Sequence, residues 1–184
     1  MLYRELDTCR LEHTILSIER ADITGSELTG TVEFLNSEVV LMAQYTNEGD
    51  YDGLTLFPLE QITEIYWGNR FHESIAKLVR RNRRPADKRP SFYLESFPQG
   101  VIELSQIYGH LAIFAENFSE TGFDIGQIMD SDNEWIKIQG VGNMSSLSTV
   151  SKLIKIENIT RIEVDTPYLN NLLFLQKEKN VDRV

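Results

Sequence analysis

The chain is poor in the residues that usually betray chemistry. It has one cysteine, Cys9, among 184 residues, so no internal disulfide can form, and a reducing compartment is the default expectation. Its three histidines, His13, His72 and His110, lie far apart without metal-ligand spacing. No apolar run approaches the ~18 residues of a membrane-spanning helix. The opening residues, MLYRELDTCRLEH, are charged and lack an apolar signal core, so a cytoplasmic protein without membrane attachment is expected. No nucleophile–base–acid set, paired carboxylates or phosphate loop in a strand–helix context stands out. The expectation is therefore a non-enzyme with no catalytic residues, no cofactor and no metal.

Positive charge is also scarce. The net charge is −10 and the pI is about 4.8, a balance that repels nucleic acid and anionic membranes. What basic charge there is clusters. Lys77, Arg80, Arg81, Arg83, Arg84, Lys88 and Arg89 fall within thirteen residues, opposed only by Asp87, so that segment carries +6 and the remainder −16.

What the chain does have is a repeat. Gly30, Val32, Glu38, Val40 and Met42 match Gly126, Ile128, Glu134, Ile136 and Ile138 at an offset of 96. Leu56, Glu60, Ile62, Thr63, Ile65 and Leu78 match Leu153, Glu157, Ile159, Thr160, Ile162 and Leu175 at an offset of 97. Two blocks in the same order at nearly one offset indicate tandem duplication.

Each copy reads as short strands closed by a helix. ELTGTVEFL alternates, with Leu28, Val32 and Phe34 expected on one face. NSE is a turn, VVLMAQY a buried strand, and LTLFPL a strand ended by Pro58. QITEIYW is a further strand. Asn69 caps a helix with a stripe of Phe71, Ile75, Leu78 and Val79. In the second copy Asp165 or Thr166 caps, Pro167 suits the first turn, and Tyr168, Leu172 and Leu175 form the stripe. LEHTILSIE and VIELSQIYGHLAIF are both expected as strands. The fold class is mainly β (α+β): two tandem small partly open β-barrels, each followed by one amphipathic helix. The expected organisation is a first barrel and helix over 1–80, a basic linker over 81–97, a second barrel and helix over 98–177, and a frayed tail over 178–184.

Gly-x-x-x-x-Gly-x-Val, a polar turn with Asn36 and then Val-x-Leu resemble the first motif of the Sm/LSm family, which includes the Hfq proteins and has an SH3-like bent five-stranded barrel. IYWGN, Ile65 to Asn69, resembles the second motif. The resemblance implies a small barrel, RNA as a partner, assembly into a homo-oligomeric ring, and Asn36 in the place of the base-binding asparagine. The sequence departs from the pattern in having Trp67, and Val164 in the second copy, where an arginine is expected. It also departs in placing a helix after the sheet, where the family usually has one ahead of it.

The remaining candidate sites each have two readings. The run from Lys77 to Arg89 is either a phosphate-contacting patch or a solvated helix end, stabilised by its own dipole, that enters the linker. The lack of interleaved aromatics favours the second. Asp130, Asp132 and Glu134 mimic the start of a calcium loop, but Trp135 stands where the tight-turn glycine belongs, which favours a hairpin turn. Cys9 and His13 are four apart. On a strand they would share a face without touching, and no third residue orients them. Tyr66, Trp67 and Phe71 form either an aromatic binding patch or sheet–helix packing. Together these features describe a non-enzymatic interaction protein with an acidic surface for a protein partner. The alternatives are a ring-forming Sm-like RNA binder and an immunity-type inhibitor of a basic toxin.

Overall fold

In the computed structural model, residues 1–23, 27–82, 91–118, 122–141 and 149–181 are described. The first half contains α1 (Leu2–Glu12), β1 (Leu16–Glu19), β2 (Leu28–Leu35), β3 (Val39–Tyr45), β4 (Tyr51–Pro58), a 3-10 turn (Leu59–Gln61), β5 (Glu64–Trp67) and α2 (Arg70–Asn82). The second contains α3 (Phe97–Tyr108), β6 (Leu111–Phe114), β7 (Phe123–Ser131), β8 (Trp135–Gly140), β9 (Val150–Lys155), a 3-10 turn (Ile156–Asn158), β10 (Arg161–Val164) and α4 (Pro167–Val181). The fold is mainly β. Its ten strands form one open antiparallel sheet in the order β5-β1-β2-β3-β4-β10-β6-β7-β8-β9.

The order is one five-strand pattern written twice, and the detail repeats with it. Leu16 faces Gly30 as Leu111 faces Gly126. Met42 faces Val32 as Ile138 faces Ile128, and both hairpins carry an irregularity just beyond that pair. The glycine that opens each hairpin is sterically required. A Cβ on Gly30 would lie 1.9 Å from the Ala43 carbonyl oxygen, and one on Gly126 would lie 2.7 Å from that of Gln139. Asn36 Oδ1 accepts from the Glu38 and Val39 amides, and Asp132 Oδ1 from those of Glu134 and Trp135. Thr63 and Thr160 each accept a backbone amide from the chain leaving β1 or β6, Ala21 and Glu116 respectively. Asn69 caps α2 through the His72 amide, and Thr166 caps α4 through the Leu169 amide. Asp132 thus serves a hairpin turn, and Asp165 is not the α4 cap.

The halves meet edge to edge, where β4 pairs with β10 through Leu54↔Val164, Thr55↔Glu163 and Leu56↔Ile162. One core cluster lies within the first half and joins Leu6 and Cys9 of α1 to Leu16, Ile18, Val32, Val40, Met42 and Phe57. The largest cluster is shared. It sets Val39, Leu41, Leu54 and Leu56 from the outer face of the first half against Val101 and Leu104 of α3 and Ile136, Ile138 and Ile162 of the second. A third, smaller cluster lies under α4 with Leu169 and Leu172.

Several expectations are corrected. VIELSQIY is a helix, α3. Ser96 caps it by accepting from the Gln99 amide, Pro98 suits its first turn, and Phe97, Val101, Leu104 and Tyr108 recur at helical spacing. The N-terminal segment is also helical, so each half has a helix ahead of its sheet as well as after it. Cys9 is therefore buried on α1, and His13 takes the left-handed position that ends that helix (φ 51°). Phe34 leaves the face of Leu28 and Val32, because the bulge after Val32 turns it towards the shared core. The inward stripes of α2 and α4 sit one residue along from Phe71 and Tyr168. His72 and Ile75 are buried in α2, Leu169 and Leu172 in α4, while Phe71, Tyr168 and Leu175 are exposed. Helix α4 continues through Val181, beyond the expected end near Lys177. No helix among the described residues is long and apolar enough to cross a membrane.

Candidate functional site

A concavity lies between the halves. Each half places a β-hairpin turn against its 3-10 turn through one backbone bond, Leu59 N–H to the Glu38 carbonyl and Ile156 N–H to that of Glu134. The repeated geometry brings Glu38 and Glu60 from one half, and Glu134 and Glu157 from the other, around a cleft of about 590 Å³ floored in part by Phe97 and Pro98. Lys155 offsets one of these charges through a 2.5 Å ion pair with Glu157. The wall is therefore net negative, and four carboxylates in a concave surface focus an attractive field for cations.

Asn36 stands beside this cleft, but its side chain is fully engaged. Its oxygen holds the turn, and its Nδ2 donates to the carbonyls of Leu94 (2.6 Å) and Glu95 (3.1 Å). It splices the segment joining the halves onto the first hairpin, so no donor is free for a base. Lys77, Arg80 and Arg81 are exposed on α2. The helix end docks through Asn82, whose Nδ2 donates to the Glu48 carbonyl and to Asp50 Oδ1. Arg83, Arg84, Lys88 and Arg89 lie outside the described residues. The proposed aromatic patch divides. The Tyr66 hydroxyl donates to Glu27 Oε2, whereas Trp67 and Phe71 stand 43% and 40% exposed near the sheet's β5 edge.

Two buried polar clusters escape sequence reading. In the first, Ser17 Oγ lies within hydrogen-bond reach of Glu27 Oε1, Thr29 Oγ1 and, at 2.9 Å, His72 Nε2. An ionised carboxylate only accepts, so Ser17 and Thr29 both donate to Glu27, and Ser17 must accept from His72 Nε2–H. Burial pushes the Glu27 carboxyl up, but bonds from Ser17, Tyr66 and Thr29 outweigh it and hold the group below its ordinary range. Burial lowers the His72 pKa, partly offset by Glu27, and its Nδ1 has no partner among the described residues. With the serine proton committed to the carboxylate and Ser17 wholly buried, the group is not a nucleophile–base pair.

The second cluster bolts the halves together. Arg20, from the end of β1, donates to Gln61 Oε1 (2.9 Å), to the Thr160 carbonyl (3.4 Å) and to Glu116 Oε2 (2.8 Å). Glu116 also accepts from Thr160 Oγ1 and Arg161 Nε, and Arg161 reaches on to Glu163. Two cations and two anions balance. Burial pushes the Glu116 carboxyl up, yet Arg161 and Arg20 outweigh that and keep it below its ordinary value. The partners of Arg20 lie 41 to 140 residues away in sequence, so no local pattern announces them.

No family model, curated protein or solved structure matches the chain.

Proposed function

We infer that the chain is a non-enzymatic binding protein built from two Sm-like, partly open five-stranded units, whose acidic cleft receives a basic segment of a protein partner. The carrying observation is the convergence of Glu38, Glu60, Glu134 and Glu157 on one concave surface. Equivalent positions of both units supply them, so the charge lies where the duplication doubles it. Electrostatic complementarity of this kind speeds and orients association with a cationic partner. An inhibitor of a basic toxin would use the same surface. The test is titration of the full chain with an Arg/Lys-rich peptide. Binding should weaken steeply with salt and be abolished by Glu60→Lys with Glu134→Lys. Salt-independent binding, or binding unchanged by the double substitution, overturns the reading.

A second reading, head-to-tail assembly of the chain into a ring, is favoured by the two sheet edges, which have no partner among the described residues. Strands β5 and β9 are the counterparts of β10 and β4, which pair at the internal joint. A second copy joining in the same register would set Ile65 against Leu153. Size exclusion with light scattering tests this directly, and a concentration-independent monomer rejects it. The engagement of Asn36 and the acidic cleft weigh against RNA as the ligand of such a ring. Retention on poly-U at low salt would restore that alternative.

A further inference from the structure

The Ser17 cluster has a counterpart in the second half that is built from different chemistry. By strand register, Ser17, Glu19, Glu27 and Tyr66 correspond to Ala112, Phe114, Phe123 and Glu163. The matching helix caps, Asn69 and Thr166, align Phe71 with Tyr168. In the first half Ser17, Glu27 and Tyr66 close on one another through hydrogen bonds. In the second they leave a cavity of about 200 Å³, walled by Phe114, Phe123 and Tyr168 and edged by Asp52, Glu163 and Gln44.

The walls have a definite arrangement. Phe114 and Phe123 are stacked, with centroids 4.9 Å apart and planes at 25°. Tyr168 stands almost at right angles to Phe123, with centroids 6.0 Å apart and planes at 79°. Two of these rings are left open, Phe123 at 42% and Tyr168 at 39% exposure. The guanidinium of Arg161 lies 3.5 Å from the Phe114 centroid, so Phe114 already carries a cation of the protein's own. Glu163 is committed to Arg161. The Asp52 carboxylate, which burial pushes towards its neutral form, makes no hydrogen bond or ion pair among the described residues.

We propose that this pocket binds a methylated ammonium head group, with Phe123 and Tyr168 against the methyls and Asp52 as the counter-charge. Ring faces attract a cation through their quadrupole, most strongly when the cation sheds water easily. A trimethylammonium group has no N–H to satisfy and is weakly hydrated. The edge offers oxygens at Asp52 and Gln44, but against the rings a plain lysine ammonium or a metal ion would lose hydration that nothing replaces. The cavity falls below the roughly 300–1,000 Å³ of drug-sized sites, so it accepts a head group rather than a whole metabolite. The head group belongs either to a free choline-type compound or to a trimethyl-lysine side chain. The site is independent of the acidic cleft.

The test uses the full chain and amide NMR with calorimetry. The probes are choline, its neutral isostere 3,3-dimethylbutan-1-ol, and a short peptide carrying either trimethyl-lysine or lysine. Choline should shift the amides around Phe123 and Tyr168, and the isostere should bind at least about fivefold more weakly. The methylated peptide exceeding choline identifies a protein side chain as the source, and the reverse identifies a free compound. Tyr168→Ala and Asp52→Asn, both surface changes, should each weaken binding about fivefold with the melting temperature retained. If one variant unfolds, the other carries the test. Equal binding of choline and its isostere, affinity unchanged by both substitutions, or no binding at millimolar concentration overturns the proposal.

Discussion

Leu56 and Leu153 occupy the same place in the two halves, opposite Leu41 and Lys137 respectively, yet one is fully buried and the other 64% exposed. The difference is their neighbours. Leu56 lies beneath α3, which approaches so closely that a Cβ on Gly100 would sit 2.7 Å from its Cδ2, and β10 flanks its strand. Leu153 is on the last strand of the sheet, with no further strand beyond it among the described residues. Leu56→Ala should therefore cost about 2–5 kcal/mol, and Leu153→Ala no more than about 0.5 kcal/mol in the monomer. Urea denaturation of the two variants checks this, and equal losses would refute it.

Glu116 should make the joint between the halves sensitive to acid. Its folded pKa lies below the ordinary 4.5, so the stability it provides is present above that value and is lost as pH falls through the lower, folded one. Glu116→Gln strands the buried Arg20 guanidinium and leaves Arg161 with Glu163 alone, and should cost about 3–5 kcal/mol at neutral pH. Measured by urea midpoint, the gap between wild type and variant should narrow as pH drops below 4.5. A constant gap would contradict the ion-pair account.

His72 should act in the same direction at a higher pH. Burial depresses its pKa below the ordinary 6.5, so the folded state holds the neutral ring. Stability is complete above 6.5 and declines as pH falls towards the depressed value. His72→Leu adopts the residue type of its counterpart, Leu169, and removes this group's share of the decline. Melting curves collected across that range, with an imidazole titration by NMR, test both statements. A His72 pKa above 6.5 would refute the first.

Asn36→Ala should destabilise the fold by about 1–3 kcal/mol, since it frees two turn amides and two inter-half carbonyls. Asn36→Asp keeps the turn, as Asp132 does in the second half, and loses only the donors to Leu94 and Glu95. Its cost should be smaller, as read from thermal melts. Neither change should alter retention on poly-U.

Features carried by a few adjacent residues were legible in the sequence. These include the repeated strand pattern, the Asn36 turn, the Pro58 strand end, the helix start at Asn69 and, as one of two cap candidates, Thr166. The leading helices were missed because α1 and α3 are short and their apolar residues run directly into the following strand, so helix and strand periods blur. The α2 stripe departs from expectation only at its first member, for another reason. His72 is polar yet buried, because Ser17 satisfies it, and composition alone would have placed Phe71 there instead. The acidic cleft, the Arg20–Glu116 bolt and the Phe123–Tyr168 pocket all combine residues from separate elements. None of them exists until the sheet has set its register, so no spacing along the chain encodes them.

The seam between β4 and β10 also fixes how the molecule comes apart. Because the β4–β10 ladder and the largest apolar cluster serve both repeats, separating them would strip the pairing edge from each and expose Leu54, Leu56 and Ile162 at once. The chain should melt as a single cooperative unit, and either repeat expressed alone would lack the surface against which it was shaped. The two repeats here form a pair that is no longer divisible.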